Sequence, residues 1–302
     1  MADDRLPVEC VINISEGREH DTIVAVAAPA GSTLVDLHTD AEHNRSVLTL
    51  AGSLADVEPA ARGVAAATVS LVDLTHHAGA HPRLGSLDVV PFVALPAPGH
   101  TRAPTPAVRS VRGARDRFAR WAGDELGLPC FLYGPERSLP EVRRAAFVTQ
   151  APSTGPTQPH PTAGAAAVGV RPVLIAYNVW IEGPPGSDPA RRRASALAAA
   201  KEVAARVRGR QVRSLGLPVG PGAQVSLNLI DPETVPPDRV YDRVAQGVEA
   251  LGCTVLRAEL VGLLPLGVLE AVPRHRWPEL DLAEDRTIEA RLRSVSGGSR
   301  FR

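Results

Sequence analysis

The chain has 302 residues, room for one large or two medium domains with a real core. It is 44% hydrophobic and 22% charged, with 33 basic and 33 acidic residues, so nothing in its charge points to a nucleic-acid or anionic-membrane partner. Cys10, Cys130 and Cys253 are few, odd in number and far apart, which argues against a disulfide framework or a thiolate metal site and for a reducing compartment. The opening M-A-D-D-R-L-P lacks the basic and apolar regions of a signal peptide, and no apolar run is long enough to span a bilayer, so a cytoplasmic location is the expectation.

In chain order, Val8–Ile14 reads as a strand and Asp21–Pro29 as a short helix with an acidic, polar start. Ser32–Leu37 and Ser46–Leu50 are β-branched or aliphatic runs and predict two more strands. Leu54–Leu71 carries helical periodicity and much alanine, and Asp88–Leu95 reads as a buried strand. A charged helix over Thr105–Leu126, a short strand at Cys130–Tyr133 and a helix at Leu139–Ala146 complete the first half. Beyond a Pro-, Thr- and Gly-rich loop, Pro172–Val179 predicts a strand, Pro189–Arg208 a helix, and Val212–Leu217 and Ala223–Asp231 two strands. Pro237–Leu251 then predicts a helix and Thr254–Leu260 a strand. The class is α+β, with two successive β-α-β-β-α-β units of ferredoxin-like topology, each a sheet with helices on one face. The boundary falls between 1–172 and 173–302. An amphipathic surface helix is expected at Asp281–Arg293 and frayed backbone at Ser296–Arg302.

Four polar or Gly-rich loops stand at strand ends. Asn13–Arg18 follows the first strand; Ser15 and Glu16 are placed to cap the next helix, or its amides to hold an anion. His38–Ser46 joins two strands with two histidines, two carboxylates and an arginine, more than a turn needs. A metal is the weaker reading there, because no His-x-x-x-His pair lies on a predicted helix and no cysteine joins in. Thr75–Phe92 packs His76, His77, His81, Arg83, Gly79 and Gly85 into a turn, and Pro82 steers His81 toward extended backbone. A titratable imidazole on such a loop suits proton transfer, although the same residues could simply decorate a solvated turn. In the fourth loop, Gly155, Pro156, Thr157, Gln158, Pro159, His160, Pro161, Thr162, Ala163 and Gly164, three prolines stiffen a chain that its end glycines let bend. Alone it would read as a linker. Gln224, Ser226 and Asn228 alternate along a strand and share one side of the second sheet, to bind a polar ligand or to face water. Cys10, inside an apolar strand, reads as a small core residue rather than a nucleophile. There is no P-loop, Rossmann glycine fingerprint or nucleophile elbow.

E-C-V-I-N-I-S-E-G-R (Glu9–Arg18), D-A-E-H-N-R-S-V (Asp40–Val47) and H-P-R-L-G-S-L-D-V-V-P-F (His81–Phe92) together resemble the formiminotransferase domain family. So do the Gly155–Gly164 loop with R-P-V-L-I-A-Y-N (Arg171–Asn178), A-Q-V-S-L-N-L-I-D (Ala223–Asp231) and E-L-V-G-L-L-P-L (Glu259–Leu266), all in the family's order. The resemblance implies a homodimer, two ferredoxin-like subdomains and a substrate tunnel between them. It implies transfer of a formimino group from N-formimino-L-glutamate to N5 of tetrahydrofolate as co-substrate; from the residues themselves, no metal is expected. It puts the catalytic histidine at His81 and the folate-binding loop at Gly155–Gly164. A single imidazole near neutrality can take the proton from N5 and return it to the departing nitrogen, at a rate factor on the order of 10²–10⁴. From the chemistry, Arg45 and Arg83 are expected to hold substrate carboxylates and Asp40 to orient His81 or stabilise its charged form, with Asn13 and Asn44 also in the substrate-binding set.

The chain departs from the family pattern before His81, where Ala78 and Ala80 replace a lysine and a glutamate, and at His38, where vertebrate members carry an acidic residue. Two further readings therefore stand beside the first. One is a folate-dependent formimino or formyl transferase with a different amine donor or acceptor. The other is a folate-binding protein without catalysis.

Overall fold

The computed structural model describes residues 7–97 and 102–296, without the side chain of Ser296. Most of the signal-peptide reading at the N-terminus and nearly all of the expected fraying at the C-terminus lie outside those residues. The chain divides into two compact units, Met1–Pro172 and Val173–Arg302.

In the first unit, β1 (Val8–Ile14), α1 (His20–Ala27), β2 (Leu34–Asp40), β3 (Arg45–Gly52), α2 (Leu54–Leu71) and β4 (Leu87–Ala94) follow the expected order. Ser53 caps α2 by accepting the Asp56 N–H, and Val57, Ala61, Val64, Ala65 and Thr68 give the helix one buried stripe. The hydrophobic period survives folding because that stripe lies on the sheet. The four strands pair antiparallel as β2-β3-β1-β4, the strand order of a ferredoxin-like sheet.

The sheet then continues, which the sequence pattern does not announce. After α3 (Thr105–Glu125), β5 (Cys130–Tyr133) and α4 (Leu139–Ala145), a sixth strand, β6 (Ala166–Val170), inserts between β4 and β5 and pairs parallel with both. Its A-A-V-G-V is too small and too uniform to show a period. It is interior up to its half-buried last residue, Val170: Ala166 and Val168 join the main core, whereas Ala165 and Ala167 join a second cluster with Phe131, Tyr133 and Val142 of α4. Helices therefore cover both faces at this end of the sheet, a correction to the one-face expectation. That second layer brings α4 to the loops before β4.

The second unit runs β7 (Ile175–Glu182), α5 (Pro189–Val207), β8 (Val212–Val219), β9 (Gly222–Leu229), α6 (Pro237–Glu249) and β10 (Thr254–Val261), its sheet ordered β10-β7-β9-β8 and antiparallel throughout. Asp188 caps α5 by accepting the Arg191 N–H. Alternate residues Ile175, Tyr177, Val179 and Ile181 face the core with Ala196, Ala200, Val203, Val240 and Val244 of the helices. The helix expected at Asp281–Arg293 is shorter. Asp281 has a left-handed φ of 55°, Glu284–Arg286 is a 3-10 turn, and α8 (Ile288–Ser296) starts beyond it; a short α7 (Leu266–Ala271) was not foreseen. Asp281 is held there by accepting the Leu260 N–H and a bond from Arg286, so tertiary partners outweigh the local helical pattern.

Candidate active site

Four segments of the first unit meet at the loop that precedes β4. The connection between β2 and β3 is only Ala41–Asn44, since both strands extend further than their apolar runs predict. Asn44 sits at its end with φ 47°, a conformation Asn tolerates better than most side chains. It joins three segments: its Oδ1 accepts the Gly17 N–H at 2.9 Å, its Nδ2 donates to the Ala78 carbonyl at 3.2 Å, and its own carbonyl lies 3.2 Å from His77 Nε2. Gly17 and Gly79 allow this approach, because a Cβ on either would stand 2.3 Å from a backbone oxygen, that of Asp40 or His43 respectively.

The Asn13–Arg18 loop is also drawn inward. Ser15 does not cap α1; its hydroxyl donates to the Gly85 carbonyl and its N–H to the Ser86 carbonyl. Glu16 does accept the N–H groups of Arg18 and of Glu19, the residue before α1. Those amides are thereby engaged within the protein.

At the centre lies a carboxylate absent from the sequence-based set. Asp88, wholly buried at the start of β4, accepts Arg45 Nη1 at 2.5 Å, Arg143 Nη2 at 2.6 Å and the Leu84 N–H at 2.8 Å. Burial alone would raise its carboxyl; Arg45 and then Arg143 outweigh that and hold it well below the usual carboxylate range. Arg45 also donates from Nε and Nη2 to Asn13 Oδ1, at 3.2 and 2.8 Å. Asn13 and Arg45, both expected to bind substrate, thus meet each other. Asp88 was visible as a charge opening an apolar run, but its partner Arg143 on α4 carried no local signal.

His81 is half-buried beside this cluster. Its Nδ1 stands 2.7 Å from the Pro82 carbonyl. A carbonyl can only accept, so the proton sits on Nδ1 and the lone pair of the neutral ring is on Nε2. Burial, and then the Arg45 guanidinium, push the imidazole down to about 3, with Arg143 adding to the fall and Asp88 opposing it. The ring is neutral at physiological pH. Arg83 donates to the His81 carbonyl at 2.8 Å from Nη2 and also approaches the His43 carbonyl and the His77 ring. Asp40 accepts the His43 N–H at 2.9 Å and its other oxygen lies 3.7 Å from His43 Nε2, while the His43 ring stands 5.8 Å from that of His81. Asp40 therefore meets His81 by way of His43, a residue the sequence reading left unassigned.

The loop 155–164 borders the same place. Gly85 and Gly164 form an isolated antiparallel bridge, flanked by bonds from Ala165 N–H to the Leu84 carbonyl, Ser86 N–H to Ala163 and Leu74 N–H to Thr162. A Cβ on Gly85 would come within 2.2 Å of the Ala165 carbonyl, and Gly164 has φ +68°. Only glycine fits both positions. His160 closes the loop from inside, its Nδ1 accepting the Ala163 N–H at 3.0 Å. Gly155, Pro156, Thr157, Gln158 and Pro159 are exposed, as is Pro161, so the loop is a stitched rim with a free outer edge.

Elsewhere, Cys10 is a core residue whose thiol burial pushes well above its ordinary value. Gln224 is buried and Asn228 exposed, so their shared side of the second sheet is not uniformly wet. Among the described residues no cluster of three or more His, Cys, Asp or Glu is placed to hold a metal, and no helix is long and apolar enough to cross a membrane.

Comparison with known proteins agrees with this frame. Residues 7–171 match the formiminotransferase domain, N-terminal subdomain, and residues 176–291 match the formiminotransferase domain. A glutamate formimidoyltransferase of Thermoplasma acidophilum is 33% identical over 318 residues, covering 96% of this chain and 98% of its own. One of Streptococcus pyogenes serotype M1 is 32% identical over 294 residues, covering 89% and 92%. The formimidoyltransferase-cyclodeaminase of Sus scrofa is 33% identical over 284 residues, covering 87% of this chain but 51% of its own, so the chain spans about half of that relative's length. The chain belongs to the formiminotransferase domain family and is an enzyme of its transferase kind.

Proposed function

We propose that this chain moves a formimino group from N-formimino-L-glutamate to N5 of tetrahydrofolate, with His81 as the acid and base. The observation that carries the reading is the 2.7 Å contact between His81 Nδ1 and the Pro82 carbonyl, which leaves Nε2 as the proton acceptor. N5 attacks the amidine carbon and a new C–N bond forms; Nε2 takes the proton that N5 sheds. The same proton is then given to the glutamate nitrogen as its bond to carbon breaks, so one imidazole serves both half-steps.

The surrounding charge suits this task. Arg45 and Arg143 face one carboxylate, Asp88, and Arg83 stands nearby, so the site holds more positive than negative charge. Glutamate and folate are both anionic and would be drawn to it. An anion binding here would also relieve the pressure that keeps His81 from holding a proton, making Nε2 a better base once substrate is present. In this reading Gly155–Gly164 is the edge against which folate lies, and the protein works as a cytoplasmic homodimer.

Ala78 and Ala80 support a second reading, the same transfer with another amine as donor or acceptor. Both stand where the family pattern has a charged side chain, and both engage the rest of the site through backbone alone, at the Ala78 carbonyl and the Ala80 N–H. The test of both is direct. Purified protein is given tetrahydrofolate with N-formimino-L-glutamate or a panel of other formimino amines, and the 5-formimino product is followed. His81→Gln is expected to lose on the order of 10²–10⁴ in kcat at an unchanged unfolding midpoint. Wild-type turnover by His81→Gln would end the proposal. Folate binding without turnover on any donor would leave the third reading, a binding protein.

A further inference from the structure

The two nitrogens of Arg143 point at different jobs. Nη2 donates to Asp88 Oδ2 at 2.6 Å, while Nη1 donates at 3.1 Å to the Pro82 carbonyl, the same oxygen that accepts the His81 Nδ1–H. The arginine thus spans from a wholly buried, backbone-anchored carboxylate to the one acceptor that decides which ring nitrogen of His81 carries hydrogen. It comes from α4, 61 residues further along the chain than Pro82, with 19% of its side chain exposed. Three features single it out from the other arginines. Arg45 reaches Asp88 but has no bond to the 81–82 backbone, its remaining bonds going to Asn13. Arg83 holds the carbonyl of His81 rather than that of Pro82. Asp88 retains Arg45 if Arg143 is lost, so electrostatic need for the carboxylate does not by itself require a second guanidinium.

We propose that Arg143 is a positioning residue that fixes the tautomer of His81 by clamping the Pro82 carbonyl to Asp88. This rests on the reading of His81 as the acid and base. A carbonyl held at one point presents its lone pair to Nδ1 in every turnover, so Nε2 remains the reacting nitrogen. Without the clamp the Pro82 carbonyl is free to turn, and the neutral ring divides its hydrogen between Nδ1 and Nε2. The fraction with hydrogen on Nε2 cannot accept a proton from N5. The cost falls on the chemical step, because Arg143 in this role touches no substrate and Arg45 and Arg83 remain to draw the anionic substrates when it is replaced.

The experiment uses the full chain labelled with ¹⁵N-histidine. Imidazole nitrogen shifts of the ligand-free protein are recorded near neutral pH, with His81→Gln assigning the His81 signals. Wild type is expected to show His81 with hydrogen on Nδ1 alone, and Arg143→Gln a mixture of both tautomers. In steady state Arg143→Gln should lose on the order of 10–100-fold in kcat, with KM for both substrates within about twofold of wild type. If Arg143→Gln fails to fold, Arg143→Lys takes its place: it keeps a cation beside Asp88 but lacks the two nitrogens that bridge both oxygens. A single unchanged Nδ1–H tautomer in a folded variant overturns the proposal, whatever happens to the rate. So does a rise in KM at unchanged kcat, which would make Arg143 a substrate anchor. Failure of the underlying reading looks different: His81→Gln would turn over normally while the tautomer still shifted in Arg143→Gln.

Discussion

Lowering the pH should destabilise this protein through His81, and removing His81 should remove that sensitivity. The imidazole is held at about 3 in the folded chain, against an ordinary value of 6.5 when unfolded. Between those values the unfolded chain binds a proton that the native site refuses, so stability is full above pH 6.5 and falls as pH drops through the window. At pH 5 the unfolded state gains RT times the logarithm of about 30, or about 2 kcal/mol, from this single group. Urea unfolding of wild type and His81→Gln at pH 8 and pH 5 isolates it. Wild type should lose about 2 kcal/mol more than the variant across that span. Asp88 cancels from the comparison: it is present in both proteins, and the stability from its depressed carboxyl is lost only as pH falls below the ordinary carboxylate range. Equal losses in the two proteins would show that the native imidazole titrates normally, and that burial and Arg45 do not control it.

Asp88→Asn should be far worse for the fold than for any surface carboxylate. It leaves Arg45 and Arg143 facing each other without a counter-charge, at a cost of about 3–5 kcal/mol read from urea or thermal unfolding; a loss below about 1 kcal/mol would mean that the guanidiniums are solvated. Gly85→Ala places a methyl 2.2 Å from the Ala165 carbonyl and must part the 85–164 bridge. It is expected to cost about 1–3 kcal/mol and to speed proteolysis within 155–164, whereas unchanged cleavage would show that the bridge does not hold the loop.

Much of the fold was legible along the chain. Val8–Ile14, Leu54–Leu71 and Cys130–Tyr133 begin and end where the pattern places them, because apolar period and end residues such as Ser53 act within one or two turns of backbone. The loops rich in histidine and arginine were legible as a site for a similar reason: so much polar chemistry at strand ends exceeds what turns require. The roles of individual residues were less so. Asn13, Arg45 and Arg83 read as ligands for a substrate, and the structure gives each a partner inside the protein.

Composition, periodicity and end residues were thus enough to determine the repeated β-α-β-β-α-β arrangement and the loop that carries His81, though not β6 or α7. Tertiary structure alone decided that β6 enters the sheet between β4 and β5, that Arg45 and Arg143 share Asp88, and that Arg143 reaches the Pro82 carbonyl. Arg45 lies 43 and Arg143 55 residues from Asp88 in sequence. No local rule spans such separations: which charge meets which is settled only when strand register and the second helical layer bring them together, and the cost of burying an unpaired charge then selects the pairing.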